Sequence, residues 1–174
     1  NIVLSVSVTT RKKRKEEIQG IHYFFKNDYE FNKLIEQNEF LEYANVFGYS
    51  YGTLKNEVVS KINNGTDVIV DIDWQGTRQI EKHLPHDVVK VFILPPSMEE
   101  LEFRLGKRAS ESRENFIKRM SEAKKEISHY NEYDFVIVNT KIQLAVEQIK
   151  SILFSERLRR HRQISLNKTL SKLL

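Results

Sequence analysis

The sequence predicts an α/β fold built on a parallel sheet. Short apolar runs recur along it, at residues 2–8 (IVLSVSV), 67–73 (DVIVDID), 88–94 (VVKVFIL) and 135–138 (FVIV). Amphipathic helical stretches separate them, and apolar strands that alternate with helices belong to parallel sheets covered on both faces. Residues 23–51 differ: they are more aromatic, more β-like and broken by tight turns, and they read as an inserted subdomain.

Taken in order, residues 2–8 alternate like a strand and end in Thr9-Thr10. Residues 22–25 form a short aromatic strand candidate, and 28–37 a helix with Phe31, Leu34 and Ile35 on one face. Residues 40–47 suit a strand that leads into the turn Gly48-Tyr-Ser-Tyr-Gly52. The helical stretch 54–64 stops at Gly65, the residue type that most easily takes a left-handed cap. A helix over 75–83 is ended by Pro85, and the strand at 88–94 by Pro95-Pro96. Ser97 with Glu100 three residues on is a capping box that opens the next helix. Residues 111–130 make a long charged amphipathic helix. A final helix runs from 142 to near 160, with Leu144, Ile149, Ile152 and Leu153 as its apolar face.

Composition narrows the function. The 174 residues fit one domain with small inserted subdomains, and 40% hydrophobic residues suffice for a core. No run approaches the ~18–20 apolar residues of a membrane span, so no membrane partner is expected. The absence of cysteine excludes disulfides, thiolate metal sites and a cysteine nucleophile, and the expected location is cytoplasmic. None of the six glycines falls at the spacing of GxGxxG or GxxxxGK[ST], so these residues hold no glycine-rich phosphate loop. The net charge is +4, with the excess in residues 11–15 (RKKRK) and 157–162 (RLRRHR). Such runs either bind anions or form a solvated basic face. They lack the interleaved aromatic residues of a single-strand reader, so nucleic acid is not an expected partner.

In open parallel sheets, ligands bind beyond the carboxyl ends of the strands. Thr9, Thr10, Arg11 and Arg14 follow the first strand, Asp71, Asp73 and Gln75 follow the run at 67–70, and Asn139 follows the last. Carboxylates at the end of a buried strand are costly unless a cation or donors meet them. Asp71 and Asp73 therefore either orient Mg²⁺ near phosphates or cap the next helix. Arg104 and Arg108, four residues apart, share a helix face, either as a surface paired with Glu100 or as positive charge for phosphoryl transfer. Within residues 42–53, Glu42, Thr53 and the two tyrosines of the glycine turn, Tyr49 and Tyr51, come close in sequence. A carboxylate there could accept from the N1–H and 2-amino group of guanine, and tyrosines could bond a phosphate. The plainer reading is a β-turn with core aromatics.

These motifs, in this order, resemble the guanylate kinase family. The matching segments are Ser5-Val-Ser-Val-Thr-Thr-Arg-Lys-Lys-Arg14, Glu17-Ile-Gln-Gly20 through Tyr23, Phe40-Leu-Glu-Tyr-Ala44, Gly48-Tyr-Ser-Tyr-Gly-Thr53, Asp71-Ile-Asp-Trp-Gln-Gly76, Ile93-Leu-Pro-Pro-Ser97, Arg104-Leu, Lys118-Arg119, and Tyr133-Asp through Val138-Asn139. The resemblance implies a parallel-sheet P-loop kinase core (residues 1–8, 71–97 and 131–174), an inserted GMP-binding subdomain (9–70) and a helical lid (98–130). It implies transfer of the ATP γ-phosphoryl group to GMP, with Mg²⁺ accompanying ATP.

By the same resemblance, Ser7, Arg11, Arg14, Tyr23 and Tyr51 would hold the GMP phosphate. Glu42, Thr53 and Asp71 would read guanine, and Asp71 with Asp73 would order water on Mg²⁺. Arg104, Arg108 and Asn139 would meet ATP, and Arg14, Arg108 and Arg119 would stabilise the transition state. A monomer or homodimer is expected. In the family a strand and a P-loop with its lysine precede the Ser-Val-Ser motif, and turnover is expected to need that segment. Lys13 stands where proline is usual, Glu16 and Ala109 where glycine is usual, and Thr140-Lys141 where two acids are usual. A guanylate-kinase-like binding module without turnover is the alternative. The retained arginines and guanine-reading residues favour the enzyme.

Overall fold

The structure, a computed structural model, describes residues 1–107, 113–163 and 165–173. The chain divides into two compact units, Asn1–Val88 and Val89–Leu174.

In the first unit, β1 (Ile2–Leu4) lies parallel to a strand from later in the unit, Asp67–Ile69. The strand expected over residues 2–8 breaks in the middle. The Ser5 N–H closes the parallel ladder on the Ile69 carbonyl, and the chain then changes sheet. Val8–Thr9 forms β2, which pairs in parallel with β3 (Phe24–Phe25) and antiparallel with β5 (Tyr49–Leu54). Adding β4 (Phe40–Val46) gives a four-stranded sheet of order β3-β2-β5-β4. Between β3 and β4, α1 (Asp28–Glu36) opens on a full capping box between Asn27 and Glu30.

Strands β4 and β5 are a hairpin. Phe47 and Gly48, with φ of 55° and 83°, supply the two left-handed residues of its turn, so of the turn expected over residues 48–52 only Gly48 turns, and Tyr49–Gly52 belong to strand β5. This left-handed pair suits the twist of a two-residue hairpin loop. Next come α2 (Lys55–Asn63), closed by Gly65 at φ 71°, then β6 (Asp67–Ile69), the partner of β1. Strand pairing thus joins β6 to β1 in a parallel sheet. The unit ends with α3 (Trp74–His83) packed on β4.

Two apolar clusters hold this unit together. Val8, Phe31 and Phe40 pack with Phe24, Leu34, Ile35 and Leu54. Leu41, Val58 and Ile80 pack with Val68, Val70 and Ile72. Phe40 and Leu41 thus serve different clusters, as alternation along a strand requires. A β-bulge between Phe40 and Glu42 then breaks the alternation, and Phe40, Leu41 and Glu42 are all buried.

In the second unit, β7 (Val91–Leu94) and β8 (Phe135–Val138) pair in parallel over four residues. Between them run α4 (Met98–Lys107) and α5 (Arg113–Ile127). The Ser97 hydroxyl caps α4 through the Glu100 N–H at 3.2 Å, one half of the expected capping box, while Glu100 Oε1 accepts from Arg104 Nε. After β8 come α6 (Ile142–Leu158) and α7 (Leu166–Leu170). Among the described residues, no helix is long and apolar enough to cross a membrane.

Candidate active site

The basic run beginning at Arg11 is folded into an anchored loop. Thr9, fully buried, donates its hydroxyl to the Ser50 carbonyl at 3.0 Å and accepts the Arg11 N–H at 3.2 Å. The Thr10 hydroxyl accepts the Ser50 N–H at 2.9 Å. These bonds fix the root of the loop to β5. Arg11 then turns back on Glu17 through two parallel hydrogen bonds: Nη2 to Oε1 at 2.6 Å and Nη1 to Oε2 at 3.1 Å. The same Oε2 accepts the Arg14 N–H at 2.7 Å.

A bidentate guanidinium–carboxylate pair fixes orientation as well as distance. The two side chains are only 14% exposed, so solvent screens the pair less than an open surface bridge. The Arg11 guanidinium holds the Glu17 carboxyl down at about 2. Arg11 also lies over the rings of Tyr23 and Phe25, 5.4 and 5.8 Å from their centroids. Glu17 belongs to a quoted motif but has no role among the sequence expectations. A pair six residues apart in a loop has no helical or strand period to reveal it.

Around Arg11 stand two of the expected phosphate ligands. Tyr23 and Tyr51 meet edge to face at 6.1 Å. Burial, reinforced by Tyr51, raises the Tyr23 hydroxyl above its ordinary range, so it stays a neutral hydrogen-bond donor at physiological pH. Asp71, exposed just past β6, is near enough to act electrostatically on Tyr23. Ser7 is tied to β3 through its carbonyl, which accepts the Phe24 N–H at 2.9 Å. The Arg14 side chain is exposed and, with Lys15, Glu16, Glu17 and His22, lines an open hollow of about 510 Å³. The loop thus brings Arg11, Tyr23 and Tyr51 together, with Arg14 on its exposed side.

The second cluster is built by the bulge. Glu42, 3% exposed, sits opposite Thr53 in the β4–β5 register, and the fully buried Thr53 hydroxyl donates to Glu42 Oε1 at 2.5 Å. Burial raises the Glu42 carboxyl to about 7, with the charge of Asp73 adding to the effect and the Thr53 hydrogen bond opposing it. A carboxylate carried this far inside is costly unless donors meet it. Beside it, the Gln79 amide on α3 clamps the backbone of β4. Its Oε1 accepts the Tyr43 N–H at 3.1 Å and its Nε2 donates to the Tyr43 carbonyl at 2.8 Å. β4 lies at the edge of its sheet, so this side chain satisfies backbone groups that no strand pairs. Sequence reasoning assigned Gln79 nothing.

Of the two readings open for Asp73, helix capping is what the structure displays. Its Oδ1 accepts the Gly76 N–H at 2.9 Å and its Oδ2 accepts the Gln75 side-chain amide at 3.0 Å. Among the described residues, no three histidine, cysteine or acidic side chains converge as a metal cage. Mg²⁺ does not require one. It keeps most of its waters and takes one or two carboxylates together with substrate phosphates. Asp71, an exposed residue just past β6, fits that donor set; Asp73 has both oxygens engaged by α3.

In the second unit, two expected residues come together. Arg104 donates from Nη2 to the Asn139 carbonyl at 3.0 Å and from Nε to Glu100 at 2.7 Å. Asn139 continues the strand ladder, with its N–H on the Leu94 carbonyl at 2.7 Å. The α4 guanidinium therefore anchors the carboxyl end of β8. Arg119 is half-buried on α5, and Arg108 lies outside the described residues.

The fold and these clusters define an α/β protein of the parallel-sheet class with an ordered arginine–tyrosine loop and a buried acid. The guanylate kinase family model matches residues 1–156. A guanylate kinase from Hyphomonas neptunium is 46% identical over the whole chain, which covers 80% of that protein. One from Maricaulis maris is 50% identical over 93% of the chain and 74% of its own length. The crystal structure of guanylate kinase from Anaplasma phagocytophilum superposes with a TM-score of 0.84 at 38% identity, covering 98% of this chain and 84% of that one. The chain belongs to the guanylate kinase family.

Proposed function

We propose that the first unit holds the acceptor nucleotide and that residues of the second unit meet the donor. As a guanylate kinase, the chain transfers the γ-phosphoryl group of ATP to GMP, giving ADP and GDP. The observation that carries the acceptor assignment is the buried Glu42–Thr53 pair. Guanine offers N1–H and a 2-amino group side by side, and two carboxylate oxygens are their natural acceptor pair. Adenine has an acceptor at N1 and no amino group at C2, so the same carboxylate disfavours it.

Arg11, Arg14, Tyr23 and Tyr51, with Ser7, would hold the GMP phosphate. Glu17 acts as the positioning residue for Arg11: it fixes the plane of the guanidinium before substrate arrives, which lowers the ordering cost of binding. Asp71 would contribute to guanine reading and, with Asp73 in a lesser part, would hold water on the Mg²⁺ that accompanies ATP. Mg²⁺ when bound neutralises charge on the phosphates. Phosphoryl transfer asks little acid–base chemistry of the protein and depends on positioning and charge. Arg14, Arg108 and Arg119 are assigned to the transition-state charge, and Arg104, Arg108 and Asn139 to ATP. The inserted GMP-binding subdomain (9–70) and the helical lid (98–130) belong to the same proposal, as does a cytoplasmic enzyme acting on free nucleotides.

Thermal unfolding with added nucleotide tests the acceptor assignment. GMP is expected to raise the melting temperature more than AMP or CMP at equal concentration. Equal shifts for all three would remove guanine recognition from this site.

A further inference from the structure

Gly76 occupies the third position of α3, and its backbone φ is not in the left-handed region. Backbone conformation therefore does not call for glycine, and in a helix glycine is less favourable than alanine. The reason lies in what surrounds it. A Cβ at residue 76 would stand 2.6 Å from Glu42 Oε2, 3.2 Å from Glu42 Cδ and 3.2 Å from the Ile72 Cβ.

The end of a flexible side chain could usually step aside. Glu42 is 3% exposed and its other oxygen is held by Thr53. The backbone behind it is fixed by the Gln79 clamp on Tyr43 and by the cap that Asp73 places on the Gly76 N–H. The β4 bulge also contributes. Leu41 joins Ile80 one turn further along α3, while Glu42 meets Gly76. One helix face receives two consecutive strand residues, and the second fits only over a residue without a side chain.

We propose that Gly76 is a positioning residue for guanine selection: its missing side chain is the space in which the Glu42 carboxylate stands to meet the base. This rests on Glu42 being the guanine reader. A methyl group at 76 displaces the carboxylate toward or past Thr53, so the enzyme loses affinity for the base while the phosphate grip at Arg11 and Tyr23 is untouched.

The test is a titration of GMP and IMP, which lacks the 2-amino group, into wild type, Glu42→Gln, Glu42→Asp, Gly76→Ala and Gly76→Ala/Glu42→Asp. Gly76→Ala is expected to weaken GMP about tenfold or more, the scale of one hydrogen bond to a charged group, and to shrink the preference for GMP over IMP. Aspartate is one methylene shorter and withdraws the carboxylate from residue 76. In the Glu42→Asp background the added methyl is therefore expected to leave GMP binding equal or improved, a reversal of sign that a general destabilisation would not give. Gly76→Ala with wild-type affinity and preference overturns the proposal, as does a double variant that binds GMP more weakly than Glu42→Asp. If Gly76→Ala does not fold, the comparison of the double variant with Glu42→Asp decides by the same criterion. Glu42→Gln separates the two claims. If it leaves the GMP preference unchanged, the guanine-reading role fails and this inference with it. If it abolishes the preference while Gly76→Ala keeps the wild-type affinity and preference, only the inference fails.

Discussion

Replacing Glu42 by glutamine should stabilise the fold at neutral pH while it weakens GMP binding. The amide keeps the shape and the acceptor for Thr53 but carries no charge. In the folded chain the Glu42 carboxyl titrates at about 7, against an ordinary value of 4.5. The folded state therefore holds its proton more tightly than the unfolded state, and stability falls as pH rises from the unfolded value through the folded one. The separation of the two values corresponds to about 3 kcal/mol above neutrality, most of which accrues between about pH 5 and about pH 8.

Desolvation dominates this balance. Asp73 is the charge that adds to it, and Thr53 is the donor that opposes it. All other groups are shared by the two proteins, so the difference between them isolates Glu42. Urea unfolding, followed through the fluorescence of the single tryptophan, Trp74 at the start of α3, gives the stability at each pH. The variant's advantage should be small near pH 5 and grow by about 2 to 3 kcal/mol toward pH 8. A difference that stays constant across this range would refute the reasoning, because the carboxylate would then carry no ionisation cost. Saturating GMP should reverse the order of the two proteins at high pH, since the base supplies donors to the charged form.

Glu17→Gln should lower GMP affinity about tenfold by releasing Arg11, while guanosine, which lacks the phosphate, binds unchanged. A gain in GMP affinity would mean that Glu17 repels the phosphate more than it orders the arginine. Arg14→Ala, Arg108→Ala or Arg119→Ala should each lower kcat by roughly 10³ or more, the scale of an arginine that stabilises transferring phosphoryl groups. Steady-state turnover with ATP, Mg²⁺ and GMP measures this, and near-normal kcat would remove the residue from the transition state.

The parts of the fold legible in the sequence are those with a period or a stop signal. The apolar strands at 67–69, 91–94 and 135–138 stand out against helices with clear faces. Gly65 closes α2 through its left-handed backbone, as its position signals. The run at 2–8 misleads because its alternation is continuous while its partners are not: Ile2–Leu4 pairs with β6 and Val8–Thr9 with β3 and β5. Pairing is a long-range property that alternation does not encode. For the same reason, the glycine-rich stretch at 48–52 reads as one turn, yet only Phe47 and Gly48 turn, and the rest pairs with β4.

The site shows a similar division. Glu42 and Thr53 are named by resemblance, and the hairpin register explains why they meet. The bulge that buries Glu42 has no signal in Phe40-Leu-Glu, because burying three residues in a row contradicts the strand period. Gln79 and Glu17 are polar residues whose partners are a strand backbone and a loop arginine, and neither arrangement leaves a spacing to find. Asp73 carried two readings from the sequence. The structure displays the cap and leaves Asp71 as the exposed acid past the strand end.

The most direct test of the acceptor site is a crystal structure with GMP bound. The account predicts the phosphate on Arg11, Arg14, Tyr23 and Tyr51, and the guanine N1 and 2-amino groups within hydrogen-bond distance of the Glu42 carboxylate, over Gly76. A base bound elsewhere, with Glu42 still bonded only to Thr53, would contradict it.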